Sequence, residues 1–141
     1  MRVIPGKCHC GNINYDFTWP TASGLIPARA CGCSYCQKHG AAWTSHPKGK
    51  LELRFQDPNA VQHYRFGHHT ADFNVCGCCG IVVFASVAID DRLYTVLNVN
   101  TFENVEPDEL NSDTTNFEDE SKSQRLARRL RNWTPTSCMP T

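Results

Sequence analysis

Cys76-Gly-Cys-Cys-Gly80, followed at once by Ile81-Val-Val-Phe-Ala-Ser-Val-Ala-Ile89, the turn Asp90-Asp91 and the run Leu93 to Val99, decides the fold. The run from Ile81 to Ile89 is apolar and rich in β-branched residues, too short and too continuous for an amphipathic helix. Paired acids then turn the chain into Leu93 to Val99, which reads as its hairpin partner. Working outward, Leu51, Leu53 and Phe55 alternate with polar residues up to the turn Asp57-Pro58-Asn59, and Tyr64 with Phe66 suggests another strand. Nearer the start, Ile13, Tyr15, Phe17 and Trp19 alternate as in a half-buried strand, and Pro20 to Gly24 is a turn. Leu25 to Ala30 reads as extended, and Ser34 to Lys38 as one helical turn before Gly40. Short strands at this spacing predict a mainly β domain of antiparallel strands over residues 1–110.

Beyond Asn100 the character changes. Asn111 to Asn116 is polar and reads as a loop, and Glu118-Asp119-Glu120 precedes a basic helix over Ser123 to Arg131. Acids before a helix and arginines at its end suit the helix dipole. Leu126 and Leu130 give it a narrow apolar stripe, so residues 111–141 are expected to form an extension whose short helix packs on the same domain.

The chain has 141 residues, which favours one domain with a moderate core. Its net charge is zero, which weighs against a nucleic-acid partner and gives no attraction to anionic membranes. No stretch approaches the roughly 20 apolar residues of a membrane helix, and MRVIPGKCHC does not resemble a signal peptide. Nine cysteines in such a chain read as metal ligands in a reducing cytoplasm, not as disulfides.

Those cysteines fall into Cys8-x-Cys10, Cys31-x-Cys33-x-x-Cys36 and Cys76-x-Cys78-Cys79, with Cys138 apart in the tail. In an extended segment residues i and i+2 point the same way, so Cys8 and Cys10 can grip one ion together. Cys76-x-x-Cys79-Gly80 resembles a zinc knuckle with glycine at its tight exit, Cys76 with Cys78 being the competing choice. Spacing alone leaves the pairing open, since Cys8 and Cys10 can join two cysteines of the middle cluster. The middle cluster is compact enough to wrap one ion unaided, which leaves the outer two to each other. Four thiolates then close one shell, whereas three leave a position for water or substrate. Thiolate sets also suit iron.

Gly6-x-Cys8-x-Cys10-Gly11, Cys31-x-Cys33-Ser34-x-Cys36 and Cys76-x-x-Cys79-Gly80, in this order, resemble the glutathione-dependent formaldehyde-activating (Gfa-like) enzyme family, whose relatives include centromere protein V. The similarity runs from Val3 to Leu110, and Arg125 to Pro135 is similar to the tails of bacterial members. The resemblance implies an Mss4-like β-tent with two zinc ions. A structural zinc would sit on Cys8, Cys10, Cys76 and Cys79, and a catalytic one on Cys31, Cys33 and Cys36. It also implies a carbon–sulfur lyase acting on glutathione and formaldehyde. Gly32 stands where members often have histidine, Lys7 where a second glycine is usual, and Val75 where an aromatic commonly precedes the knuckle. Three cysteinates make zinc a poor Lewis acid, so thiolate activation or positioning is the expected contribution.

Further candidates have plainer alternatives. His39 can relay protons or lie on the surface, and His68-His69 can bind metal or form an exposed turn. Cys78 reads as a bystander thiol and Cys138 as a free one. Arg125, Arg128, Arg129 and Arg131 can bind glutathione carboxylates or nucleic-acid phosphate, or form a solvated face answering Glu118 to Glu120. Trp43 and Tyr35 can line a pocket or fill the core. The rival to an enzyme is a non-catalytic zinc module for binding or chaperoning on the same scaffold. An open three-ligand site separates the two, and closure of that site by His39 or Cys78 favours the rival.

Overall fold

A computed structural model describes residues 1–21, 24–67, 70–115 and 119–138. In chain order the elements are β1 (Arg2–Lys7), β2 (Ile13–Trp19), β3 (Ile26–Cys31), α1 (Ser34–His39), β4 (Ala42–Thr44), β5 (Lys50–Phe55) and β6 (Val61–Tyr64). They continue with β7 (Asp72–Cys76), β8 (Val82–Ile89), β9 (Arg92–Asn98), β10 (Leu110–Thr115), α2 (Lys122–Asn132) and β11 (Thr134–Cys138). The strands join one sheet in the order β1-β2-β5-β11-β9-β4-β3-β10, while β8 also pairs with β9 and carries β7 and then β6.

The hairpin expected from the deciding stretch is β8–β9, turned at Asp90 and Asp91, which both adopt positive φ. Residues 82–87 of β8 are all buried, which is why that run lacks polar alternation. Val83 and Leu97 belong to one core with Ile4, Ile13, Tyr15, Phe17, Leu51 and Leu53. Val82, Ala85, Val87 and Val96 belong to a second core with Trp43 and Trp133. In β2 the strict alternation of buried and half-buried residues matches its sequence pattern. Gly6 opposite Tyr15 is a packing requirement, because a Cβ there would lie 2.0 Å from the tyrosine ring.

The strand pairing departs from the antiparallel expectation at two places, making the sheet mixed. β10 runs parallel to β3 and β11 runs parallel to β5. Parallel neighbours require long crossovers rather than hairpins, and such partners leave no local turn signal. Residues 111–115, read as loop, are part of strand β10; Asn116 lies outside the described residues. β10 is an edge strand with residues 111–114 exposed, so it lacks the apolar alternation that marks a half-buried strand. After α2, β11 inserts between β5 and β9, so the C-terminal segment contributes to the sheet itself. No helix among the described residues is long and apolar enough to cross a membrane.

Candidate functional site

Two turns of similar construction deliver the outer cysteines. After β1 the chain turns with Cys8 N donating to Ile13 O (2.9 Å) and Gly11 N to Cys8 O (3.2 Å). After β7 it turns with Cys76 N donating to Ile81 O (3.0 Å) and Gly80 N to Cys76 O (2.8 Å). Gly11 and Gly80 both have positive φ at the exit, a conformation that costs other residues. The Sγ atoms of Cys8, Cys10, Cys76 and Cys79 all lie within 4.8 Å of one another. Cys8 and Cys10 are 3.8 Å apart and Cys10 and Cys76 are 3.6 Å apart. Four sulfurs at ~2.3 Å from a tetrahedral centre are separated by about 3.8 Å, so the Cys8–Cys10 and Cys10–Cys76 separations match those of a tetrahedral thiolate shell.

The protonation pattern is that of four thiols competing for the same hydrogen bonds at a partly buried place. Burial pushes Cys8 up to about 11. At Cys79 burial opposes ionisation, yet the N–H donors of Cys10 and Ile81 and the thiols of Cys76 and Cys8 bring the pKa down to about 6. A divalent cation resolves this competition, since ligand thiolates bind metal by releasing their protons. Cys78 is exposed and stands outside the group. Cys78→Ala is therefore expected to retain full metal content and an unchanged melting temperature. Loss of one zinc equivalent in the purified variant would move the ligand from Cys79 to Cys78.

The middle cysteines are brought together by a strand end and a helix start. Cys31 closes β3, Cys33 caps α1 by accepting from Cys36 N (3.5 Å), and Cys36 lies buried inside α1. Cys33 N donates to Cys31 Sγ (3.5 Å) and Trp43 Nε1 to Cys36 Sγ (3.4 Å). These three sulfurs also lie within 4.8 Å of one another, and no fourth His, Cys, Asp or Glu joins them among the described residues. A hydrogen bond from Cys36 holds the Cys31 thiol down to about 5, while Cys36 itself is pushed well up. His39 is at the far end of α1 with its ring 4.6 Å from Tyr35, and His68-His69 lies outside the described residues.

The three-cysteine cluster differs from the four-cysteine one in what it faces. Cys31, Cys33 and Cys36 form part of the wall of a cavity of about 340 Å³, whereas none of Cys8, Cys10, Cys76 and Cys79 lines it. Trp43, Phe66, Phe73 and Trp133 supply its apolar side. Tyr35 stacks outside the lining, 4.7 Å from Phe73 and 5.2 Å from Tyr64. Four arginines, Arg29, Arg125, Arg128 and Arg129, supply its polar side.

The arginines divide between the two readings the sequence offered, anion binding and a solvated face. Arg128 makes a forked contact with Glu120 at 3.0 Å, and Arg125 approaches the same carboxylate at 3.8 Å. Arg129 is 7% exposed, its Nη1 donating to Thr70 Oγ1 (2.7 Å) and its guanidinium 4.8 Å from the Trp133 ring. Burial and the neighbouring Arg128 and Arg125 lower its pKa to about 10, so it remains charged at neutral pH. Leu126 packs against the second core, but Leu130 is exposed. Leu126, Arg129 and Trp133 recur three and four apart, a helical face that a stripe of leucines alone did not reveal.

A β domain carrying one four-cysteine cluster and one cavity-lining three-cysteine cluster defines the class: a β protein with two cysteine sets that could each hold a metal ion, one of them beside a cavity. Residues 3–120 match the family described as glutathione-dependent formaldehyde-activating enzyme, and the chain belongs to that family. A crystal structure of a Rhodobacter sphaeroides protein is similar at 28% identity with a TM-score of 0.59, covering 79% of this chain and 99% of that one. No curated protein is similar enough to be matched.

Proposed function

We propose that this protein is a zinc-dependent carbon–sulfur lyase that forms or cleaves S-hydroxymethylglutathione or a related thiol–aldehyde adduct. Family membership supports a formaldehyde-activating type of function. The observation that carries the finer reading is the asymmetry of the clusters: the three-cysteine set faces a cavity and the four-cysteine set does not. Cys8, Cys10, Cys76 and Cys79 would hold a structural zinc, and Cys31, Cys33 and Cys36 a catalytic one. Zinc bound there supplies positive charge that favours a substrate thiol as its anion.

The rest of the reaction is positioning. In the forward direction the substrate sulfur forms a bond to the formaldehyde carbon, the carbonyl pair moves to oxygen, and the proton lost from sulfur ends on that oxygen. The Trp43 N–H bond to Cys36 Sγ and the Cys33 cap fix the orientation of the cluster. Trp43, Phe73 and Trp133 line the space in front of it with apolar surface. Holding two small reactants in one cavity replaces a bimolecular encounter by an effectively unimolecular one, which suits a reaction that already proceeds without help. Nine cysteines, all unpaired in the structure, suit the reducing cytoplasm we assign to the protein.

The test is metal stoichiometry on freshly purified protein, followed by exchange NMR with glutathione and formaldehyde. Two zinc ions per chain and exchange faster than the spontaneous reaction are expected. Two zinc ions without acceleration would rule out this substrate pair.

A further inference from the structure

Arg29 and Arg129 reach the cavity from different elements, β3 and α2, and neither is answered by a carboxylate among the described residues. Arg29 Nη2 donates to Ser45 Oγ (3.1 Å) and Arg129 Nη1 to Thr70 Oγ1 (2.7 Å), so each is held by a neutral hydroxyl. Arg129 Nε is buried with no hydrogen-bond partner among the described residues, on a side chain only 7% exposed. Glu120 lies nearby but forms its ion pairs with Arg125 and Arg128. A guanidinium taken out of water needs a counter-charge and partners for its N–H groups. The hydroxyls fix where these two side chains point without neutralising them, which leaves their charge available inside the cavity. The same cavity carries Cys31, Cys33 and Cys36 on its wall.

We infer that Arg29 and Arg129 form an oxyanion subsite that takes a carboxylate or phosphate of the substrate, whose sulfur end then lies toward the three-cysteine cluster. The inference rests on the lyase reading for what happens at the sulfur end, and on the arginines alone for what anchors the other. Planar guanidinium groups bind carboxylate and phosphate through paired N–H bonds, so both anions satisfy the same geometry. Small neutral thiols have no group for this subsite. The site therefore selects thiols by their anionic end.

The experiment uses zinc-loaded protein and calorimetric titration with S-methylglutathione, which has carboxylates but no free thiol, and with its diester, which has neither. The acid is expected to bind about tenfold or more tightly than the diester, the loss expected for one charge-assisted contact. Arg29→Gln and Arg129→Gln are each expected to weaken the acid about tenfold while leaving the diester unchanged. Arg29→Gln, on a strand and only half-buried, keeps the test decisive if Arg129→Gln does not fold. Competition of the acid by inorganic phosphate is expected, since both anions satisfy the same geometry, and its absence would overturn the subsite. Equal binding of acid and diester, no binding of either, or variants that weaken both alike would overturn the subsite. Retained anion binding without any thiol–aldehyde exchange would instead overturn the lyase reading and leave the subsite standing.

Discussion

Cys76→Ser is expected to release one zinc and to unfold the domain or lower its melting temperature by tens of degrees. The four sulfurs tie the turn after β1 to the turn after β7, with Cys10 and Cys76 66 residues apart in sequence. Cys8 and Cys76 are also members of the first core, at 1% and 0% exposure, so this cluster and the packing share residues. A structural zinc contributes about 10–16 kcal/mol of binding free energy that is also folding free energy. The whole stability of a domain is about 5–15 kcal/mol. Release of that zinc therefore removes a term as large as the total. Metal analysis alongside a thermal melt decides the matter: a variant that kept both zinc ions and its melting temperature would show that Cys76 is not a ligand.

Cys33→Ser is expected to abolish acceleration of glutathione–formaldehyde exchange while leaving the fold in place. The separation follows from the position of Cys33 as the N-cap of α1, where its side chain accepts from Cys36 N. Serine is among the preferred N-caps, so the substitution keeps the helix start while removing the thiolate. With three protein ligands the metal of this site is also held less tightly than that of a four-thiolate shell. Mild chelation of the wild type is therefore expected to take one zinc first, with loss of exchange and little change in melting temperature. An active Cys33→Ser variant would remove the cluster from the chemistry. A variant that unfolded like Cys76→Ser would make the cluster structural.

The strands were legible where one face is buried and the other is not. The alternation of Ile13, Tyr15, Phe17 and Trp19 is a local property of the chain, and it reappears as the burial pattern of β2. The same holds for Leu51 and Leu53 in β5, both fully buried. The β8–β9 hairpin announced itself through a continuous apolar run and two turn-forming acids. β10 did not, because an exposed edge strand has little burial to impress a pattern on its sequence. Its parallel partner β3 lies far back in the chain, and only the completed sheet brings the two together.

The cysteine clusters were equally local. Close spacing and turn glycines marked out three cysteine clusters, since short-range ligands converge at little entropic cost, but spacing alone left open which clusters pair. What the chain could not show was where each cluster faces. That the three-cysteine set borders a cavity, with Trp43 donating to Cys36, depends on β3, β4 and α1 packing beside α2. The arginines make the same point: from sequence they form a basic helix answered by acids, and for Arg128 and Arg125 that description holds. Arg29 and Arg129 become neighbours of one cavity only after β11 inserts between β5 and β9 and fixes the C-terminal segment to the sheet. The short cysteine spacings were set by the sequence itself, while the meeting of Cys10 with Cys76, 66 residues on, was decided by the fold. The bordering cavity, charge convergence and the accessible side of a cysteine cluster are long-range properties, decided only when distant strands pack.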